Sequence, residues 1–282
     1  MHLFIVFLVI IIIVLFIRLN QKEGFSSSSS SSSFISKEEA CRIFYDLDYL
    51  KQFNSLDIAS RNINTRNILN YYCDRVLEFT VNEKKTLNRI IRSFDTSAFP
   101  FLKGPWKFCK LSNSLEYGFP HTHEDIIFIS QETMDNMDSS EYNVGMLVHE
   151  QVHLWQRRDR ALFDALYKAW GFVKVNRPLG MDTYLTQVRS NPDIHDLFYA
   201  FQGKYIPLSI LDKDGAVNYI ALVLENGKIV DDIPLSSVKD YFKIRNNHYH
   251  PNEISAELIS QYVLNPKKNG ANKSMKEILF SN

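Results

Sequence analysis

Net charge is what this sequence most plainly lacks: 32 Lys and Arg face 32 Asp and Glu, for a formal charge of +0. That balance excludes a polybasic nucleic-acid binder, because neutralising phosphates requires a surplus of positive side chains. Cysteine is scarce and odd in number. Cys41, Cys73 and Cys109 are too widely spaced for a disulfide framework or a CxxC metal knuckle, and three incidental thiols are the expectation. There is no internal repeat and no propeptide cysteine switch. Apolar residues are plentiful: 45% of 282 residues are hydrophobic, with 20 Phe, 14 Tyr and 3 Trp. Global disorder is therefore excluded, and one sizeable domain with its own core is expected.

Residues 2–17 read HLFIVFLVIIIIVLFI, an unbroken apolar run ending at Arg18. As a helix it spans roughly 24 Å, a little short of the hydrocarbon core of a bilayer. No basic residue precedes it and no small-residue cleavage pattern follows it, which favours an uncleaved single-pass anchor over a signal peptide. Arg18 and Lys22 lie on its C-terminal flank, so the positive-inside rule places the remaining domain on the cytosolic side, with the lipid bilayer as a partner of residues 2–17. The unpaired cysteines agree with that side; the sequon Asn272-Lys273-Ser274 points weakly the other way. Eight serines at 26–33 read as a flexible tether. The expected organisation is an anchor over 1–18, a Ser-rich linker over 19–35 and a domain over 36–282.

Within that domain, Ser36-Lys37-Glu38-Glu39 and Thr80-Val81-Asn82-Glu83 have the form of capping boxes. Together with apolar spacing over 64–79, they predict an N-terminal helical layer across 36–98. Strands are expected at 105–110 and from 121 to 129, and helices over 139–158 and 159–170. Further strands are expected at 205–210, 217–224 and 228–230, the last two joined as a hairpin at Asn226-Gly227, followed by a helix over 251–264. The fold class is α+β: a small mixed or antiparallel sheet, an active-site helix and a second ligand-bearing helix, with residues 154–250 forming an insert that carries the hairpin.

The chemistry concentrates in His149-Glu150-Gln151-Val152-His153. Histidines four apart on a helix project from one face and reach a single ion, with the Glu beside it placed to accept a proton. Catalytic zinc needs a third protein ligand and an open position. Asp159 occupies the place of the third ligand in the metzincin pattern, but Gln156 stands where that pattern needs Gly, so Asp159 is expected to stay on the helix and point away. Downstream, Asn252-Glu253-Ile254-Ser255-Ala256-Glu257 sets two carboxylates four apart on another helix.

These two segments resemble the HExxH and NExxx(D/E) helices of the gluzincins, the thermolysin-like zinc metallopeptidases. The resemblance implies one Zn2+ held by His149, His153 and Glu253. It makes Glu150 the base that activates zinc-bound water and Glu257 the carboxylate that orients a ligand imidazole, with the roles of Glu253 and Glu257 exchangeable. It further implies that residues 118–125 form an edge strand along the cleft that pairs with an extended substrate, with His121 and His123 either lining the site or on the surface. The match covers roughly forty residues and nothing before Gly118, and 100 residues separate His153 from Glu253. No motif fixes an oxyanion donor; His248, Tyr249 and His250 are the candidates, with Tyr241 behind them. The expected function is membrane-anchored, zinc-dependent hydrolysis of a peptide or protein substrate. The alternative is a non-catalytic, membrane-tethered protein with a structural or vestigial zinc site.

Overall fold

A computed structural model describes residues 32–65, 67–241, 249–266 and 273–280. The first strand, β1 (Ser32–Phe34), leads into helices α1 (Lys37–Asp46), α2 (Asp48–Lys51), α3 (Ser55–Ser60) and α4 (Ile68–Cys73). After β2 (Val76–Leu77) and α5 (Val81–Arg92) come β3 (Trp106–Leu111), β4 (His121–His123) and β5 (Ile126–Ser130). Helix α6 (Gln131–Asp135) precedes the long α7 (Glu141–Arg158) and α8 (Arg160–Ala169). Next are β6 (Phe172–Lys174), α9 (Asp182–Leu185), β7 (Tyr199–Phe201), β8 (Tyr205–Leu211), β9 (Val217–Glu225) and β10 (Lys228–Pro234). Helices α10 (Pro251–Leu264) and α11 (Lys273–Leu279) complete the described chain.

The first sheet is five-stranded, in the order β1-β3-β5-β4, with β2 also on β3. β1 and β2 lie along the same side of β3, parallel over Trp106–Phe108 and antiparallel over Lys110 and Leu111. β5 is parallel to β3, and β4 runs antiparallel to β5 at the edge. All five residues of β5 are buried, as a strand covered on both faces requires. Cys109 and Phe128 face the helical layer, packing with Phe44 and Tyr72. Phe108, Ile127 and Ile129 face the other way, onto Leu147, Val148 and Val152 of α7. α7 in turn lies against α10. The two helices approach closely at Gly145, where an added Cβ would stand 2.9 Å from Leu264 Cδ1.

Several expectations need correction. The single small sheet is in fact two: β6 to β10 form a second five-stranded, wholly antiparallel sheet in the order β10-β9-β8-β7-β6, so the region read as an insert with a hairpin carries a complete sheet. The helix expected over 64–79 is only the short α4, because Val76 and Leu77 pair with β3 instead. The last serines of the linker enter β1. Cys41 and Cys73, read as incidental thiols, are joined as a disulfide between α1 and α4, their Cα atoms 5.2 Å apart, and only Cys109 is free. The case for a cytosolic placement that rested on unpaired cysteines therefore falls.

The transmembrane helix is also corrected. No helix among the described residues is long and apolar enough to cross a membrane. Residues 2–17 lie outside the described residues, as does Asn272 of the sequon. The anchor, the membrane localisation and the bilayer as partner therefore have no helix to rest on among the described residues.

Candidate metal centre

α7 starts at Ser140, whose side chain accepts the Asn143 backbone N–H, and ends at Asp159, whose carboxylate accepts the Trp155 indole N–H at 2.7 Å. Asp159 has thus left the helix and is occupied as its cap. The helix carries His149 and His153 one turn apart, their ring centroids 4.8 Å from each other. α10 starts at His250, whose Nδ1 accepts the Asn252 backbone N–H at 3.2 Å, with Pro251 in the first turn, where its missing N–H costs nothing. Since α10 packs along α7, its first turn brings Glu253 onto the two imidazoles. Glu253 Oε2 lies 3.4 Å from His149 Nε2 and 3.7 Å from His153 Nε2. Glu257, one turn on, places Oε2 3.9 Å from His149 Nδ1, on the far side of that ring.

These separations suit a metal. Two ligands bound at zinc distance in a tetrahedron stand roughly 3.3–3.4 Å apart, close to the spacing between Glu253 and each imidazole. The ligand atoms of His149, His153 and Glu253 all fall within 4.8 Å of one another. His153 Nε2 is buried and has no hydrogen-bond partner. Its Nδ1 sits 2.9 Å from Gln156 Oε1, and the Gln156 amide is itself oriented by donating to Asn252 O and Ser255 Oγ, both at 2.8 Å. This chain fixes the His153 proton on Nδ1 and turns the Nε2 lone pair toward the centre. Glu253 is fixed in the same way: Asn191 Nδ2 donates to Oε1 at 2.9 Å, leaving Oε2 for the imidazoles.

Electrostatics point to a cation. Burial alone would lower His149, but the Glu253 carboxylate, with Glu150 next, outweighs it and pushes the imidazole up to about 9. A field that draws a proton onto His149 also stabilises a divalent ion there. Burial lowers His153, keeping it neutral as a ligand must be. Burial works against the Glu253 charge, but both imidazoles and Asn191 hold it far below the usual carboxylate range. Glu150 is pushed well above that range, first by burial and then by the charges of Asp193 and Glu253; its Oε2 is buried without a partner.

Asp193 belongs to the centre although no local pattern announces it. With Glu150 and His153 it makes a second group of ligand atoms within 4.8 Å. Its Oδ1, however, already accepts from Thr122 N at 2.8 Å and Thr122 Oγ1 at 2.6 Å, and Arg157 Nη2 lies 3.9 Å away. The uncommitted atoms of His149, His153 and Glu253 are the better seat. Asn191, Asp193 and Gln156 were all missed from sequence. Only Gln156 left a trace there, three residues after His153 on the same helical face.

The oxyanion candidates separate. His250 is wholly buried, capping α10 through Nδ1 while its Nε2 is 2.9 Å from Asp196 O, so both ring nitrogens are engaged away from the cleft. This corrects its reading as a catalytic group. His248 lies outside the described residues. Tyr241 is hydrogen-bonded to the Tyr249 carbonyl in the core. Tyr249 lines the cleft with Glu150 and Glu253, stacks on Tyr219 of β9 with centroids 5.4 Å apart, and is hydrogen-bonded to Asn191. Burial, then the Glu253 charge, push its phenol up, so it stays a donor.

β4 does lie beside the centre, with His121 lining the cleft and both His121 and His123 buried. Its edge is nevertheless taken. In an antiparallel strand alternate residues turn both backbone groups outward, and here that residue is Thr122. Its N–H goes to Asp193, and its C=O accepts from Arg157 Nη2 at 3.1 Å. The expected open edge is therefore closed by residues 190–193, which Arg157 also grips through Pro192 O at 3.0 Å.

Comparison with models of known families, with curated proteins and with solved structures finds no match.

Proposed function

We propose that this chain is a zinc-dependent hydrolase of peptide bonds. The observation that carries the reading is the convergence of His149 Nε2, His153 Nε2 and Glu253 Oε2 beside a buried, unpartnered Glu150 oxygen. His149, His153 and Glu253 would hold the ion. Zinc, when bound, supplies a Lewis acid that polarises a carbonyl and lowers the pKa of water to about 7. Glu150 accepts the proton of the attacking water and returns it to the leaving amine. Burial and the charges of Asp193 and Glu253 hold Glu150 above the usual carboxylate range, a shift that a divalent ion at the imidazoles would oppose. Tyr249 donates its O–H toward the developing oxyanion; Gln156 orients the His153 imidazole, and Glu257 sets a negative charge 3.9 Å from His149 Nδ1.

Glu150→Gln tests the reading directly. The variant is expected to keep stoichiometric zinc and to lose turnover by about a hundredfold or more, the scale of a general base. Unchanged hydrolysis would remove Glu150 from the mechanism. A structural zinc site is the second reading, favoured by Asp193, whose carboxylate lies within 4.8 Å of the ligand atoms of His153 and Glu150. In that case cobalt in place of zinc would give a visible spectrum indifferent to added small anions.

A further inference from the structure

Arg189 stands on the wall shared by the cleft of about 300 Å³ that contains His149 and Glu150 and a neighbouring cavity of about 590 Å³. Its backbone is pinned to β8, the N–H donating to Ser209 O at 2.9 Å. Its guanidinium lies 5.4 Å from the Tyr117 ring centroid, and its Nε is buried without a hydrogen-bond partner. Among the described residues the side chain has no ion pair. The other arginines lining these two cavities are committed: Arg157 holds Thr122 and Pro192, and Arg177 is paired with Asp182. An arginine left without an anion beside a reaction centre is a forked donor waiting for a carboxylate.

Two further observations bound the occupant. A volume near 300 Å³ is at the small end of ligand cavities. The β4 edge that would align an extended polypeptide is already filled at Thr122.

We infer that the cleft takes short peptides bearing a free carboxylate, and that Arg189 is the specificity-determining residue that ion-pairs with it. The inference rests on the peptide-hydrolase reading and narrows it to a substrate class. The carboxylate comes from the peptide's own C-terminus or from an acidic side chain.

The test uses the full zinc-loaded chain and pools of N-acetylated tripeptides of randomised sequence. The pools are offered as free acids, as C-terminal amides, and as amides carrying one aspartate, beside randomised decapeptide amides. Cleavage is followed by mass spectrometry, and binding to the Glu150→Gln chain by equilibrium dialysis. Carboxylate-bearing tripeptides are expected to exceed neutral amides by about tenfold or more in kcat/KM, the scale of one charge-assisted contact. Arg189→Met should erase that preference through KM, and Arg189→Lys should restore part of it. Preference for the free acids assigns the terminal carboxylate; preference for the aspartate amides assigns a side chain. Equal turnover of acids and amides, a preference that survives Arg189→Met, or decapeptides cut as well as tripeptides would overturn the inference. If no pool is cleaved yet the Glu150→Gln chain binds acids in an Arg189-dependent way, the hydrolase reading fails and the anion site stands. No cleavage and no such binding overturns both.

Discussion

Gln156 shows how much of the candidate metal centre rests on an amide outside the set of His149, His153 and Glu253. It fixes which nitrogen of His153 carries the proton and is itself held by two acceptors on α10. Replacing it by Leu keeps the volume and removes the acceptor. Gln156→Leu is expected to weaken zinc binding by about 10- to 100-fold, measured by competition with a chromophoric chelator. At this scale the sequence was most informative where spacing alone dictates geometry: His149 and His153 share a face because a helix turns every 3.6 residues. The same periodicity carries Gln156. Asn191 and Asp193 could not be read, since the chain reaches them through a long excursion and places them by contacts with Thr122 and Glu253 rather than by any local pattern.

Among the elements, α3 offers the sharpest energetic test. Asp57, Arg61 and Glu116 are almost wholly buried, with Arg61 Nη1 2.6 Å from Asp57 Oδ1 and Nε 3.2 Å from Glu116 Oε2. Arg61→Met leaves two buried carboxylates without their cation, and a loss of about 3–5 kcal/mol is expected in urea unfolding. Burial raises Glu116, but Arg61 outweighs it and leaves the carboxyl below its ordinary range. A depressed carboxylate stabilises the fold fully above its unfolded pKa, about 4.3, and that contribution is lost as pH falls through the lower folded value. Glu116→Gln should therefore flatten the acid limb of a stability-against-pH curve below that point. Helices with caps were legible because a cap is a local hydrogen bond: the reciprocal box at Thr80 and Glu83 forms as spelled. β1 was not, because serine carries no apolar period; it is a strand only because β3 has a side to pair.

For the molecule as a whole, the second sheet is what local reading missed. β6 and β7 are three-residue strands that pair with each other across more than two dozen residues, too short for any periodicity to register. The core joins both sheets through α7, α8 and α10, with Phe172 and Phe201 of the second sheet packed in the same cluster as Leu147 and Ile254. A metal held by His149, His153 and Glu253, on two of those helices, would stabilise the entire fold. Free zinc above saturation should add about 1.4 kcal/mol of unfolding free energy per decade of concentration and raise Tm accordingly, and chelation should reverse it; His153→Ala should abolish the dependence in calorimetry.

The Asp57 carboxylate reaches beyond its own helix. It accepts from Ser190 N at 3.0 Å and Ser190 Oγ at 2.8 Å, while Arg61 donates to Ser190 O at 2.7 Å. Residues 190–193, beside the candidate metal centre, are thus moored to the N-terminal helical layer. Trimming the chain to its C-terminal half would leave that mooring behind, and damage about ninety residues upstream of His149 would surface at Arg189 and at Asn191, disturbing the cleft wall and the hold on Glu253 together.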